Sequence, residues 1–365
     1  MSNLLFVLKT RNLMQDQRVL KEIKSLKKQD VIVDVYAATD YEIDQKNINF
    51  PVTEIKIFGG AAPSNIFVRI LGVLHFYVKF IFYFLITKDK YSKIWICDPI
   101  MFGLVVLIKF ISPKVFVIWD HHELPPDWFS GNKFLIYLFK IAYKKSDVII
   151  HCNNSRKDFL ESRILFKHSK CFIINNVPES VEIEEENLSL DAEHWIKENL
   201  GKIVYLQNCL QEDRNGSVAI KAILGQGYKV FHAGNISESY LTENKIELND
   251  VYLGGYLSYK QINRILNKSL FTIVLYKMNA TNQIYCDPNR LYQAMNLGIP
   301  VIVGNNPSMV EILSHYKNKL ILSDDGSNQD ELEQSIGVFT KEKYENQRIP
   351  MSWKQFDSVF LEIGK

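Results

Sequence analysis

Tyr285-Cys286-Asp287-Pro288-Asn289-Arg290-Leu291-Tyr292-Gln293-Ala294-Met295-Asn296-Leu297-Gly298-Ile299-Pro300-Val301-Ile302-Val303 is the most fully punctuated stretch of the chain. Asp287 is a natural N-cap, and Pro288 suits the first helical position, where its missing N–H has no intrahelical partner to lose. Leu291, Ala294, Met295 and Leu297 recur near helical spacing and give one apolar face. Gly298 can take the left-handed cap, and Pro300 forbids continuation. Ile299 to Val303 then predicts a short, fully buried parallel strand. Downstream, Ser308 and Glu311 have the spacing of a capping box for another helix.

The pattern is loop, helix, buried strand, loop, helix. A helix starting in such a loop aims free N–H groups and its positive dipole end at one spot, where a phosphate or carboxylate binds well. Asn289, Arg290 and Gln293 lie on its first turn and a half. Arg290 can pair with a phosphate and Gln293 can hydrogen-bond a hydroxyl. An ordinary βα unit with a solvated polar face carries the same punctuation.

Working outward, the same rhythm recurs. Leu4 to Leu8 is an apolar run, followed by a loop at 9–15, a helix opening at Asp16-Gln17-Arg18-Val19, and a strand at Val31 to Tyr36. That is the beginning of a doubly wound α/β sheet, whose ligands lie beyond the strand carboxyl ends. No GxGxxG is present, which disfavours a dinucleotide site. Lys93 to Cys97 predicts a strand ending at Asp98, and Lys114 to Trp119 another, ending at Asp120-His121-His122-Glu123. Two adjacent His and one Glu on a loop are a weak metal signal, and a loop His held by local hydrogen bonds is the bland alternative. Glu179 to Glu193 is acidic and poorly patterned, which reads as a linker with a short helix near Ala192–Asn199. The rhythm restarts at Ile203 to Leu206 and runs to Lys319 to Leu322. The expected domains are therefore 1–180, a linker 181–200, 201–340, and a C-terminal segment 341–365.

Length and composition agree with two cores. The chain has 365 residues, is 47% hydrophobic and carries a net charge of +2. That length suits two domains, and that charge calls for no nucleic-acid partner. Five cysteines (97, 152, 171, 209, 286) show no metal-ligand spacing, so reduced thiols in a cytoplasmic chain are expected. The start reads as a first strand rather than a signal peptide.

Ile66 to Ile86 is the most hydrophobic stretch. A spanning helix needs about 20 apolar residues with few charges, and Arg69, His75 and Lys79 interrupt this one. A helix lying in the membrane interface with its basic residues snorkelling fits better. Phe134–Tyr143, with Lys133, Lys140, Lys144 and Lys145, repeats the theme. Burial of these helices against the sheet is the alternative.

Pro288-Asn289-Arg290-Leu291-Tyr292-Gln293-Ala294-Met295-x-x-Gly298-Ile299-Pro300-Val301 resembles the signature of retaining GT-B glycosyltransferases of the family-four type, typically Pro-Asn-Lys-Leu-Phe-Glu-Tyr-x-x-x-Gly-x-Pro-Val. Asn282 and Tyr285 resemble that family's lead-in. Arg290 replaces the usual Lys, and Gln293 replaces a Glu that in the family accepts hydrogen bonds from the donor ribose. Asp120-x-His122-Glu123 resembles the family's Asp-x-His-Glu, whose His reaches the cleft beside the donor sugar. Gln207-Asn208 stands where relatives have a glycine-rich turn, and Arg214 keeps the following cation. Gly254-Gly255 resembles a loop that lines the nucleobase, and Met351 to Phe356 resembles the closing Ser-Trp-Glu helix.

The resemblance implies a GT-B fold: two facing Rossmann-like domains and a C-terminal helix crossing back to the first. It implies transfer of a sugar from a nucleotide-sugar donor to a glycan or lipid-linked acceptor in cell-surface polysaccharide synthesis, with retention and without a metal or other cofactor. His122, Glu123 and Asp120 are the expected catalytic residues. Arg214, Asn208, Asn289, Arg290, Gln293, Tyr285 and Gly255 are the expected donor contacts. Membrane contact through 66–86 would place the protein in the cytoplasm at the inner face of the cell membrane. A degenerate, non-catalytic binding subunit and a nucleotide-sugar 2-epimerase are the alternatives.

Overall fold

Short apolar runs alternate with helices along the chain and assemble into two parallel sheets. The computed structural model describes residues 3–44, 46, 48–56, 58–60, 65–180, 184–345 and 347–364. The first sheet has seven strands: β1 (Asn3–Lys9), β2 (Ile32–Ala38), β3 (Val52–Ile55), β4 (Lys93–Cys97), β5 (Phe116–His121), β6 (Val148–His151) and β7 (Cys171–Ile173). Their order is β3-β2-β1-β4-β5-β6-β7. The second has six: β8 (Ile203–Gln207), β9 (Lys229–Ala233), β10 (Val251–Leu253), β11 (Phe271–Val274), β12 (Val301–Val303) and β13 (Lys319–Ile321), in the order β10-β9-β8-β11-β12-β13. Strand order reverses between β1 and β4 and between β8 and β11. The crevice beyond the carboxyl ends at such a switch point is where doubly wound sheets bind ligands.

The chain divides into two compact units, 1–175 with 354–365, and 176–353. The stretch read as a linker carries the helix Leu190–Glu198, whose Ala192 and Ile196 are buried in the second unit's core. Residues 181–183 of that stretch lie outside the described residues. Segment 341–353 also stays with the second unit: Asn296 exchanges hydrogen bonds with the Met351 backbone at 2.9 and 2.7 Å. The chain rejoins the first unit at Lys354. There the helix Asp357–Gly364 buries Phe360, which stacks on Trp95 with ring centroids 6.2 Å apart. Lys93 caps its last turn by donating to the carbonyls of Ile363 and Gly364, both at 2.8 Å. A cation suits that end of the helix dipole.

Gly298 ends the helix Asn289–Leu297 in the left-handed region, at φ 76°. Three details of that stretch differ from the sequence reading. The strand is Val301–Val303, because Ile299 and Pro300 are spent on the turn out of the cap. Asp287 is not an N-cap. Its carboxylate accepts from the Tyr292 hydroxyl at 2.6 Å and from the Asn176 backbone N–H at 2.7 Å, so Pro288 holds the cap position with no side-chain cap bond. Ser308 and Glu311 form no capping box, since the Ser308 hydroxyl donates to the Cys286 carbonyl at 2.5 Å.

The helix Ile66–Thr87 has two apolar faces. Phe76, Phe80 and Phe84 are buried, and Phe76, Phe80 and Tyr83 surround Tyr36 of β2 at centroid distances of 5.9, 5.4 and 4.7 Å. Phe67, Leu71, Leu74, Val78, Phe82 and Leu85 are exposed, at spacings of three and four that make one stripe along the other side. The helix is long and apolar enough to cross a membrane by length and composition.

Candidate functional site

In the first unit, the helix Gln17–Lys27 follows the loop after β1 and is capped by Asp16, whose carboxylate accepts from the Val19 N–H at 3.3 Å. Four residues apart on it, Arg18 and Glu22 share one face and meet at 2.9 Å. Arg18 also donates to Asp120 at 3.2 Å and to the Ile174 carbonyl at 2.8 Å. Asp120 lies at the end of β5, fully buried, and its other oxygen is 3.1 Å from His122 Nε2. The same nitrogen is 3.6 Å from Glu22. Arg156 donates to the His122 carbonyl and fixes the loop. Asp98, after β4, takes a left-handed φ of 74° and donates its N–H to the Asp120 carbonyl at 2.8 Å.

These contacts separate the carboxyl groups. Burial pushes Asp120 upward, but Arg18 and His122 outweigh it and hold it well below the carboxylate range. Burial, reinforced by Asp120, pushes Glu22 up to about 7. Burial likewise carries Asp98 to about 7. Burial alone would depress His122, but Asp120, Cys97 and Glu22 raise it well above its ordinary value. Ligating atoms of Glu22, Cys97 and His122 lie within 4.8 Å of one another. The Arg18 guanidinium already supplies a cation to Glu22 and Asp120, and burial pushes the Cys97 thiol far up, so the group reads as an ion-paired network.

In the second unit, the loops after β8, β9 and β10 are stitched together. Asn208 donates its N–H to Ala233 at 2.8 Å, and Gly234 to Gly255 at 2.6 Å. A Cβ at Gly234 would lie 1.9 Å from Asn208 Oδ1, and its φ is +110°, so only glycine fits. Tyr276, just past β11, is the platform of the switch point. The Arg214 and Arg290 guanidinium carbons lie 3.6 and 5.1 Å from its ring centroid. Arg290 donates through one nitrogen to the Gln207 carbonyl; its Nη2 and Arg214 Nε are buried without hydrogen-bond partners among the described residues. Arg214 pairs with Asp213. Burial, with help from Arg290, lowers Arg214 below the usual arginine value. Two guanidiniums on one ring repel each other, and a bound anion would satisfy both orphaned donors.

The structure thus brings Asp120 and His122 together in one unit, and Arg214, Arg290, Asn208 and Gly255 at the strand ends of the other. Glu123 is exposed. Gln293 is buried, and its amide donates to Asn263 Oδ1 at 2.8 Å and to the Tyr259 carbonyl at 3.4 Å. Asn289, on the first turn, buries a side-chain oxygen without a partner. Tyr285 closes the one-turn helix Thr281–Ile284, its N–H donating to Thr281 at 3.0 Å. Glu22, Cys97 and Tyr276 were not singled out from sequence. The Arg18–Glu22 spacing is visible there, but an i,i+4 ion pair is common on solvated helices and does not announce burial.

The fold is the GT-B fold of glycosyltransferases. Solved structures share it over full length. HepE of Anabaena in complex with UDP is 14% identical, with 100% of this chain and 94% of that chain covered, at a TM-score of 0.68. Sucrose-phosphate synthase from Thermosynechococcus elongatus is 11% identical over 100% and 98%, at 0.71. UDP-GlcNAc 2-epimerase from Methanocaldococcus jannaschii is 11% identical over 99% of both chains, at 0.59. No protein-family model and no curated protein matches the sequence.

Proposed function

We propose that this protein transfers a sugar from a nucleotide-sugar donor to a hydroxyl of a glycan or lipid-linked acceptor. The observation that carries this reading is the Arg214–Tyr276–Arg290 stack, with orphaned guanidinium N–H groups at the β8/β11 switch point. Such donors stabilise the charge that develops on a departing diphosphate. A protein of the same fold is known in complex with UDP, which supports a uridine or related diphosphate donor. His122 faces the sugar in this reading, with Asp120 behind it, and Asn208, Gly255, Asn289 and Tyr285 line the donor. The reaction is assigned retention and no metal, by family resemblance.

The membrane is the second partner. The exposed stripe from Phe67 to Leu85 lies on a helix with no acidic residue, and Arg69 and Lys79 flank it. That combination suits an anionic lipid surface and supports a reading in which the protein works at the inner face of the cell membrane in polysaccharide synthesis. The same stripe disfavours the epimerase alternative, because an epimerase acts on a soluble nucleotide sugar and has no need of lipid.

Thermal-shift measurements with a panel of nucleoside diphosphates and nucleotide sugars test the donor site. A ligand that binds only the folded state raises Tm. Stabilisation by one of them, lost in Arg290→Ala, supports the reading; no shift with any of them favours a degenerate binding subunit.

A further inference from the structure

The first unit buries a small electrostatic circuit that the resemblance does not explain. His122 Nε2 faces Asp120 at 3.1 Å and Glu22 at 3.6 Å, and Arg18 contacts both carboxylates. Glu22 and Asp120 are each 0% exposed. Charge counting is then decisive. One guanidinium against two carboxylates leaves a buried excess negative charge, and burying an unbalanced charge is costly. One additional proton closes the balance of these four residues, and among them His122 and Glu22 can hold it, because Arg18 and His122 fix Asp120 as a carboxylate.

We propose that Glu22 is a positioning residue for His122: together with Asp120 it holds the imidazole as a doubly protonated cation and shares its proton. A bare Nε2 would point a lone pair at two carboxylate oxygens, so Nε2 carries a proton and donates to them, and the charge balance places a second proton on Nδ1. His122 therefore meets a ligand as a fixed hydrogen-bond donor and positive charge, not as a general base. The charged and titratable groups around the ring agree. Arg18 and Glu22 come from the first helix, Cys97 and Asp98 from the end of β4, and Asp120 from β5, while Arg156 donates to the backbone carbonyl of His122. Two carboxyls with separated proton affinities are the usual sign of divided roles. Here Asp120 is the permanent counter-ion, and Glu22, carried by burial to about 7, exchanges a proton near neutrality. The consequence for sugar transfer rests on the proposed function; the proton assignment does not.

The test is a pH titration of the full chain labelled with 15N-histidine, without any ligand, following the ring nitrogens by NMR. The chain has eight histidines, and His122→Asn assigns the signal by difference. In the wild type, His122 is expected doubly protonated at pH 7. In Glu22→Gln its midpoint is expected to fall by about one pH unit or more, the usual effect of a close carboxylate. A residue that only packs would leave the midpoint in place. Should Glu22→Gln not fold, Glu22→Asp carries the same test, with a smaller shift in the same direction. An ordinary histidine midpoint in the wild type, or an unmoved midpoint in the folded variant, overturns the proposal. In a transfer assay the alkaline limb of kcat is expected to move with the ring's midpoint. Absence of transfer with the NMR shift intact would count against the proposed function and leave this assignment standing.

Discussion

Arg214, from the loop after β8, and Arg290, from the first turn of the helix Asn289–Leu297, lie over the same Tyr276 ring, 3.6 and 5.1 Å from its centroid. Each keeps one buried nitrogen without a hydrogen-bond partner. The aromatic face and the Asp213 carboxylate offset part of the repulsion between these like charges, and a ligand anion would offset the rest. A charge-assisted hydrogen bond lost from such a site costs about 1.5–3 kcal/mol, or about tenfold to a hundredfold in Kd. Arg290→Ala and Arg214→Ala are each expected to weaken nucleoside diphosphate binding by that factor, measured by calorimetry. The two losses should not add, because both side chains serve one anion and one ring. Unchanged affinity in either variant would remove it from the donor site.

Gln293→Glu tests whether the family's missing acid has been lost or replaced. Gln293 now donates to Asn263 Oδ1. A glutamate would set two acceptors face to face in a buried position, at a cost of about 1–3 kcal/mol. The unliganded variant is therefore expected to melt lower, by a few degrees. In an active transferase its donor preference or rate changes as well. A lower Tm with no change in binding or rate would favour the non-catalytic alternative.

Acid should weaken the fold through its buried histidines. Burial pushes His151 down to about 3 and His232 to about 4, and also pushes His121 well below the usual range. The unfolded chain takes up these protons near pH 6.5 and the folded chain does not. Stability from these groups is therefore complete above about pH 6.5 and falls by about 1.4 kcal/mol per pH unit per histidine as pH drops toward the folded values. Glu22 and Asp98, raised to about 7, work in the opposite direction down to the unfolded carboxylate range. Three groups against two predict a shallow decline to about pH 4.5 and a steep one below it, where Asp120 also loses its ion pairs. His121 packs edge-on against Trp119, Phe139 and Tyr143, with neither ring nitrogen bonded. His121→Phe should melt higher than wild type at pH 5 and flatten the decline; an unchanged pH profile would contradict this account.

Vesicle binding tests the exposed stripe of the helix Ile66–Thr87. Phe67 and Phe82 are 73% and 64% exposed, so replacing them leaves the core intact. Phe67→Ser with Phe82→Ser is expected to weaken co-sedimentation with phosphatidylglycerol vesicles by about tenfold or more, the worth of about one buried aromatic side chain, at unchanged Tm. Wild-type binding should fall with added salt, since Arg69 and Lys79 contribute through charge. A wild type that ignores such vesicles would leave the stripe to another partner.

The alternation of short apolar runs and capped helices determined the α/β class and the two domains, because strand and helix periodicities are local properties of the chain. Gly298 at φ 76° and the helix before it followed from punctuation for the same reason. Tertiary structure decided the rest. Asp287 has an N-cap's chemistry, yet it binds Tyr292 and Asn176, since a stronger pair of donors lies in reach only after folding. Ser308 and Glu311 have the spacing of a capping box, but the Cys286 carbonyl takes the hydroxyl. Gln293 faces Asn263 because the second unit's core brings that partner to it. Arg18, Glu22, Asp120 and His122 span more than a hundred positions, and Tyr276 gathers one arginine from a loop and another from a helix start. No local pattern encodes such meetings: strand order at the switch points sets them, and strand order is a property of the assembled sheet.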